Sequence, residues 1–280
     1  MRIAVIGAYG QLGSDLVPVL GDGAIALGHA DVELTDPESI AAVLGSRQPS
    51  HVINSAAYNL VDKAEEEPEA AFRVNAFGTR NLAQWCARSN VVLLHISTDY
   101  VFGLDPVRRT PWFESDAAGP VSAYGASKLA GEQFVRSICP RHFVVRTCGL
   151  YGKNAARGKG NFVETMLRLG RERPELKIVS DQRCTPTSTT DLAIALAKLV
   201  RSDAFGLYHA TNSGDCSWFE FASEIFRLAK LPVKTLPVLA ADYGAKARRP
   251  DYSVLECSKL ANAIGGPLPP WQDALARYLG

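Results

Sequence analysis

No apolar run in the 280 residues is long enough to span a bilayer, and no cluster of lysine and arginine stands out. The formal net charge is +1. The first absence argues against a membrane-embedded protein, and the second against a nucleic-acid or anionic-membrane partner. The six cysteines, Cys86, Cys139, Cys148, Cys184, Cys216 and Cys257, are scattered and contain no CxxC pair. That pattern excludes a zinc site of the usual spacing and reads as reduced thiols, not a disulfide framework. Met-Arg followed at once by Ile-Ala-Val-Ile is not the pattern of a signal peptide. A soluble, cytoplasmic protein with no metal site is expected.

What is present begins at once. Ile3–Ile6 is a short, mostly β-branched run of the kind buried on both faces of a parallel sheet. It leads into Gly7-Ala-Tyr-Gly10-Gln11-Leu12-Gly13, after which Leu16, Val17 and Leu20 recur at helical spacing. Strand, glycine turn and helix are the order a dinucleotide site needs. The glycines allow a tight turn and close backbone approach, and the helix N-terminus favours a pyrophosphate. The spacing here is G-x-x-G-x-x-G.

The second strand is expected at Ala24–Leu27. At its end a carboxylate would grip the ribose 2′-OH of NAD, or a basic group the 2′-phosphate of NADP. Gly28-His29 gives neither answer, and Asp31 and Glu33 follow. Asp36-Pro-Glu-Ser opens a helix. His51–Tyr58 reads as a strand ending in small residues, Ala56 and Ala57, that admit a cofactor. Asp62–Glu69 has no ligand spacing and reads as a solvated helix entrance. Val74-Asn75 begins another helix, with Asn75 either orienting the site or merely structural.

Val91–Ile96 is the clearest buried strand, and it delivers Ser97-Thr98-Asp99-Tyr100 at its carboxyl end, where open α/β sheets bind ligands. A Ser or Thr hydroxyl there can hold a substrate carbonyl, and Asp99 can accept from a substrate hydroxyl. Ser122 is a helix cap for the next segment, Tyr124-Gly-Ala-Ser-Lys128. Tyr124 and Lys128 lie one helical turn apart on one face, and a neighbouring ammonium should lower the phenol pKa. Phe143–Arg146 is a fifth strand, followed by Thr147-Cys148-Gly149. A nucleophilic role for Cys148 finds no nearby His.

Five strands alternating with helices imply an α/β fold, a Rossmann-type doubly wound parallel sheet over residues 1–150. Shorter elements from 151 to 280, including helices at Phe162–Leu169, Asp191–Val200 and Trp218–Leu228, imply a smaller mixed lobe covering substrate, with the chain free to cross back. Arg248-Arg249-Pro250 reads equally as a phosphate clamp or a surface ion pair.

Gly7–Gly13, Ser97-Thr98-Asp99 and Tyr124…Lys128 together resemble the extended short-chain dehydrogenase/reductase superfamily. Within it the chain is similar to the dTDP-4-dehydrorhamnose reductase family. The likeness rests on Gly10–Gly13, Val61-Asp-Lys-Ala-Glu65, Ser97–Phe102, Tyr124–Glu132, Gly160–Val163, Asp181–Thr187, Ser217–Ala222 and Ala247–Pro250. It implies NADPH or NADH reduction of the C4 ketone of a nucleotide-linked 4-keto-6-deoxy sugar, in dTDP-rhamnose biosynthesis. Tyr124 would give the proton, Lys128 would lower its pKa and hold the nicotinamide ribose, Thr98 would bind the keto oxygen, and Asp99, Gly149 and Arg249 would meet substrate. Gly7, Gly10, Gln11, Leu12, Gly13, Glu33, Leu34, Ala56, Ala57, Tyr58 and Ile96, with Tyr124 and Lys128, would line the cofactor.

The chain departs from that family after Arg146-Thr147. The family often carries a substrate-contacting Trp there, and this sequence has Cys148-Gly149. Some relatives hold a divalent metal at a dimer contact, so a homodimer is a partner to consider; Asp15 is too slight a basis for a metal. Two other readings share the resemblance: a nucleotide-sugar epimerase, and a non-catalytic partner like the regulatory subunit of methionine adenosyltransferase.

Overall fold

The computed structural model describes residues 1–154 and 160–280. In chain order the first half runs β1 (Ile3–Ile6), α1 (Gln11–Leu20), β2 (Ala24–Leu27), α2 (Pro37–Arg47), β3 (His51–Asn54), α3 (Val61–Glu66), α4 (Pro68–Phe72), α5 (Thr79–Arg88), β4 (Val92–Thr98), α6 (Ala123–Ile138) and β5 (His142–Thr147). The second half runs β6 (Leu150–Tyr151), α7 (Phe162–Glu172), β7 (Glu175–Val179), β8 (Arg183–Cys184), β9 (Thr187–Ser188), α8 (Thr189–Leu199), β10 (Gly206–His209), β11 (Cys216–Ser217), α9 (Trp218–Leu228), β12 (Lys234–Val238), α10 (Ala240–Tyr243), α11 (Ser258–Ile264) and α12 (Trp271–Leu279).

The main sheet has six strands in the order β10-β5-β4-β3-β1-β2, and every pairing in it is parallel. The expected doubly wound parallel sheet is present, with one strand more than the five read from sequence. Gly206-Leu-Tyr-His209 is only four residues long and starts on glycine, so no apolar run marks it. With it the chain returns to the sheet after residue 151. Side chains alternate across the sheet plane. Ile3, Val5, Ile53, Leu94 and Val145 pack with α1 and α8 on one face. Ala4, Ile6, Val52, Leu93 and Val144 pack with α2, α5 and α6 on the other.

A third cluster, away from the sheet, gathers α7, β7, α9 and α12 around Met166, Ile178, Phe221, Ile225 and Trp271. Parallel β7–β12 and antiparallel β8–β11 are its strand pairs. A fourth, small cluster seats Phe102 on Trp112, stacked with ring centroids 4.3 Å apart, beside Tyr252 and Val254.

Local chemistry accounts for several boundaries. Asp36 caps α2 by accepting the Glu38 N–H, with Pro37 at the first helical position, and Ser122 caps α6 by accepting the Gly125 N–H. Ser217 and Glu220 form a reciprocal capping box on α9. Val74-Asn75 does not begin a helix. Arg73–Gly78 is a π-helical turn joining α4 to α5, the kind of irregularity that re-aims side chains. Among the described residues no helix is long and apolar enough to cross a membrane.

Candidate active site

The strand order reverses direction between β1 and β3, which makes the carboxyl ends of these strands the crevice for a ligand. The glycine turn lies there. Gly7 has φ +81°, and a β-carbon on it would stand 2.8 Å from the Ala56 amide nitrogen. A β-carbon on Gly13 would stand 2.2 Å from the Gly7 carbonyl oxygen. Both therefore have to be glycine: one for the turn and one for the packing of α1 on it. Gly10 caps α1 with no side chain bonded to the first-turn N–H groups, which leaves them to a ligand. These features fit the pyrophosphate of a dinucleotide.

The other expected cofactor residues divide by what their atoms already do. Leu12 and Leu34 are buried. The Gln11 side chain turns away to accept from the Gly152 N–H and from Asn161 Nδ2, tying α1 to the start of α7. Ala56, Ala57 and Tyr58 follow β3 as an irregular segment, not as strand. Asn75 holds it: its Oδ1 accepts from the Tyr58 N–H at 2.8 Å, and its Nδ2 donates to the Tyr58 carbonyl at 2.9 Å and to Ser127 Oγ at 3.0 Å. One side chain thus spans the segment after β3 and α6. At the end of β2, the Asp31 carboxylate accepts from the Gly28 N–H at 2.7 Å. The Glu33 carboxylate accepts from the N–H and hydroxyl of Thr35, which holds it below the usual carboxylate range.

Thr98 ends β4, and Tyr124 and Lys128 lie on α6, so sheet and helix converge on one spot. Lys128 is buried and donates to the Ile96 carbonyl at 2.6 Å, with its Nζ 3.4 Å from His95 Nε2. Burial draws the ammonium down to about 8 and keeps His95 well below its ordinary value, hence neutral. Tyr124 packs edge-on against Tyr100, with centroids 5.9 Å apart. Burial pushes its phenol up to about 12, and the Thr98 hydroxyl partly offsets that.

Any lowering of the tyrosine pKa by Lys128 does not outweigh burial in this structure. Desolvation governs the phenol, and the ammonium is committed to a backbone carbonyl. A phenol of that acidity stays protonated through the neutral range, as a proton donor must.

Asp99 is buried and held near 6 by burial. It accepts from Ser253 Oγ at 2.6 Å and from the Thr98 hydroxyl at 3.2 Å. Cys148 is buried against Asp99 and Cys184, and its thiol is pushed well above its ordinary value. That keeps it a thiol, in line with the non-nucleophilic reading. Arg249 forms a two-point pair with Asp62, at 3.1 and 2.9 Å, and lines a small pocket with Asp99, Tyr100, Arg183, Trp218 and Ser253. Gly149 lies beside this pocket, against Pro186 and Trp218. A larger open hollow of about 820 Å³ lies near His142 and Gly206, at the amino ends of β5 and β10, and contains none of these groups.

Several supports were not read from sequence. Glu132 and Arg146 form a buried two-point pair, with Nη2 to Oε2 at 2.7 Å and Nε to Oε1 at 2.9 Å. Ser97 Oγ donates to the same Glu132 at 2.5 Å. The trio ties α6 to β4 and β5, so the helix carrying Tyr124 is pinned to the strand carrying Thr98. Glu132 lies two turns beyond Tyr124 on the same helix, the one local signal that pointed to it. Ser253 comes from a loop, Arg183 from β8 and Trp218 from the start of α9, all far apart in sequence, and no spacing marks their meeting here.

A family model described as the RmlD substrate binding domain matches residues 1–280. Spore coat polysaccharide biosynthesis protein SpsK of Bacillus subtilis (strain 168) is 40% identical over 99% of this chain and 96% of its own length. A dTDP-4-dehydrorhamnose reductase of Sinorhizobium fredii (strain NBRC 101917 / NGR234) is 37% identical over 100% of this chain and 97% of its own. The crystal structure of dTDP-4-dehydrorhamnose reductase from Bacillus anthracis str. Ames in complex with NADP superposes with a TM-score of 0.92 at 39% identity, covering 99% of this chain and 98% of that one.

Proposed function

We propose that this chain, which belongs to the RmlD substrate binding domain family, is an NAD(P)H-dependent reductase that converts the C4 ketone of dTDP-4-dehydro-L-rhamnose to the alcohol of dTDP-L-rhamnose. The observation that carries the reading is the meeting of Thr98 at the end of β4 with Tyr124 and Lys128 of α6, on the same carboxyl edge of the sheet as the glycine turn, in a chain similar to such reductases from end to end.

When bound, NAD(P)H would supply the hydride to C4. Tyr124 supplies the proton to the C4 oxygen, and its phenol near 12 is fully charged with that proton at neutral pH. The Thr98 hydroxyl steadies the same oxygen. Lys128 would hold the nicotinamide ribose from its place on the Ile96 carbonyl, and Gly7 and Gly10–Gly13 would hold the pyrophosphate. Asp99, fixed by Ser253, keeps Thr98 in register and walls the sugar pocket. Arg249 is placed to exchange Asp62 for a substrate phosphate oxygen. Residues 1–150 form most of the cofactor half and residues 151–280 most of the substrate half, with β10 and α8 given back to the sheet.

Absorbance loss at the NAD(P)H band with dTDP-4-dehydro-L-rhamnose, run in parallel with NADH and NADPH, tests this. Tyr124→Phe is expected to cut turnover by roughly 10²–10⁴ while cofactor binding survives. Wild-type rates in that variant would remove Tyr124 from the mechanism. No consumption by the folded wild type with either cofactor would favour another keto sugar or a binding-only role.

A further inference from the structure

The small pocket beside Asp99 is lined by charged and polar side chains, from Tyr100, Gln182, Arg183, Arg249 and Ser253, and by Cys184, Pro250 and Trp218. Trp218, half-buried at the first position of α9, is the bulkiest of the three apolar ones. The indole is backed by aromatic packing, with Phe162 at 4.7 Å and Phe221 at 6.5 Å between ring centroids. The helix start that carries it is fixed by the Ser217–Glu220 capping box, and Glu220 is in turn held by Arg183 at 3.1 Å.

Gly149 is the complement of that ring. It has φ +53°, and a β-carbon there would lie 3.4 Å from the outer edge of the indole and 3.3 Å from the Pro186 Cα. A side chain continuing beyond the β-carbon would compete with the indole for the same space. The missing side chain at 149 and the aromatic at 218 are therefore one shape, made by two residues 69 positions apart in sequence.

We propose that Trp218 is the specificity-determining wall of the sugar pocket. It covers the C–H face and the C6 methyl of a 6-deoxy-4-keto hexose, and Gly149 supplies the room it needs. This rests on the reading of the site as a nucleotide-sugar reductase. A flat, apolar surface opposite a ring of hydrogen-bonding groups suits a sugar with one deoxygenated edge and disfavours one with a hydroxyl at C6. The nucleotide half of the ligand lies outside this wall, so it should bind independently of it.

The test is calorimetric titration of the full chain with the product, dTDP-L-rhamnose, and separately with dTDP. Wild type is compared with Trp218→Leu, Trp218→Phe and Gly149→Ala, each checked for folding by thermal melting. Trp218→Leu is expected to weaken dTDP-L-rhamnose about tenfold or more and to leave dTDP within twofold, with Trp218→Phe recovering most of the loss. Gly149→Ala, which leaves the indole in the chain but crowds it, should shift sugar binding in the same direction by less. In turnover, KM for the keto sugar should rise in Trp218→Leu while KM for NAD(P)H does not move.

Unchanged dTDP-L-rhamnose binding in Trp218→Leu overturns the proposal. So does a wild type that binds dTDP-L-rhamnose no more tightly than dTDP. If Trp218→Leu fails to fold, Trp218→Phe and Gly149→Ala decide it: wild-type sugar binding in both overturns it. Selective loss of sugar binding in Trp218→Leu, together with a wild type that binds the sugar but shows no turnover, would sustain the wall and sink the reductase reading instead.

Discussion

Two arginine–carboxylate pairs of the same two-point geometry flank the chemistry, and their surroundings give them opposite characters. Glu132–Arg146 is sealed between α6 and the sheet, with side-chain exposures of 0% and 2%. Asp62–Arg249 stands at the pocket rim, 46% and 24% exposed. The sealed pair is further committed, since Ser97 donates to Glu132, and Arg146 Nη1 lies 3.5 Å from His209 Nε2 with its guanidinium over the Phe102 ring. The rim pair has water as a ready substitute for either partner. The joint between α6 and the sheet is thus closed to water, whereas the pair at the rim is open to exchange with it.

The largest expected effect comes from breaking the joint. Arg146→Ala leaves Glu132 charged and unpaired in a dry site, and such a loss costs about 3–5 kcal/mol. Urea denaturation should show it, together with loss of activity as α6 slips from β4. Replacing both partners by apolar residues of similar volume should recover much of the stability. A full-strength single mutant would mean that the pair is dispensable and that the contrast with the rim is wrong.

At the rim the same operation should act on binding. Arg249→Ala is expected to change stability by less than about 1 kcal/mol, because exposed pairs contribute little. KM for the nucleotide sugar should nevertheless rise by about tenfold, in keeping with the loss of a charge-assisted contact. Steady-state kinetics beside a melting curve separates the two. A stability loss as large as that of Arg146→Ala would erase the distinction.

A smaller effect is carried by pH. His209 beside Arg146 is held neutral, near 3, by burial and then by the guanidinium. The unfolded chain takes up a proton near 6.5 that the folded chain refuses until about 3. Stability from this group is therefore complete above 6.5 and fades as pH falls towards 3. Asp99, raised to about 6, has the opposite sign: its contribution is greatest below the ordinary carboxylate value and is lost as pH rises through about 6. The difference between wild-type and His209→Gln melting curves isolates the histidine, and it should grow steadily more unfavourable to wild type below pH 6.5. A parallel pair of curves would show that His209 is not kept neutral by the joint.

The elements most legible in the sequence are those whose signal is local. Ile3–Ile6, Ala24–Leu27 and Trp218–Leu228 fall where periodicity and caps put them, and the glycine turn stands directly behind its strand. What was illegible depends on pairs far apart in the chain. Ser253 reaches Asp99, Arg249 reaches Asp62, and Asn75 reaches both Tyr58 and Ser127, and no spacing rule encodes any of these meetings. The tyrosine pKa shows the limit from the other side. The four-residue spacing of Tyr124 and Lys128 correctly puts both on one helix. The partner of the ammonium and the desolvation of the phenol are tertiary facts, and they decide the acidity. Gly149 likewise reads as a lost wall until the ring of Trp218 is placed beside it.

The chemistry proposed for this site is hydride delivery to C4 and proton transfer from Tyr124 to the C4 oxygen. Reaction of dTDP-4-dehydro-L-rhamnose with NADPH deuterated at the transferable nicotinamide position, followed by NMR of the sugar, tests it most directly. Deuterium is expected on C4 of dTDP-L-rhamnose, formed by wild type and nearly abolished in Tyr124→Phe. A sugar that is rearranged without taking up deuterium, or deuterium that reaches C4 as fast in Tyr124→Phe as in wild type, would contradict it.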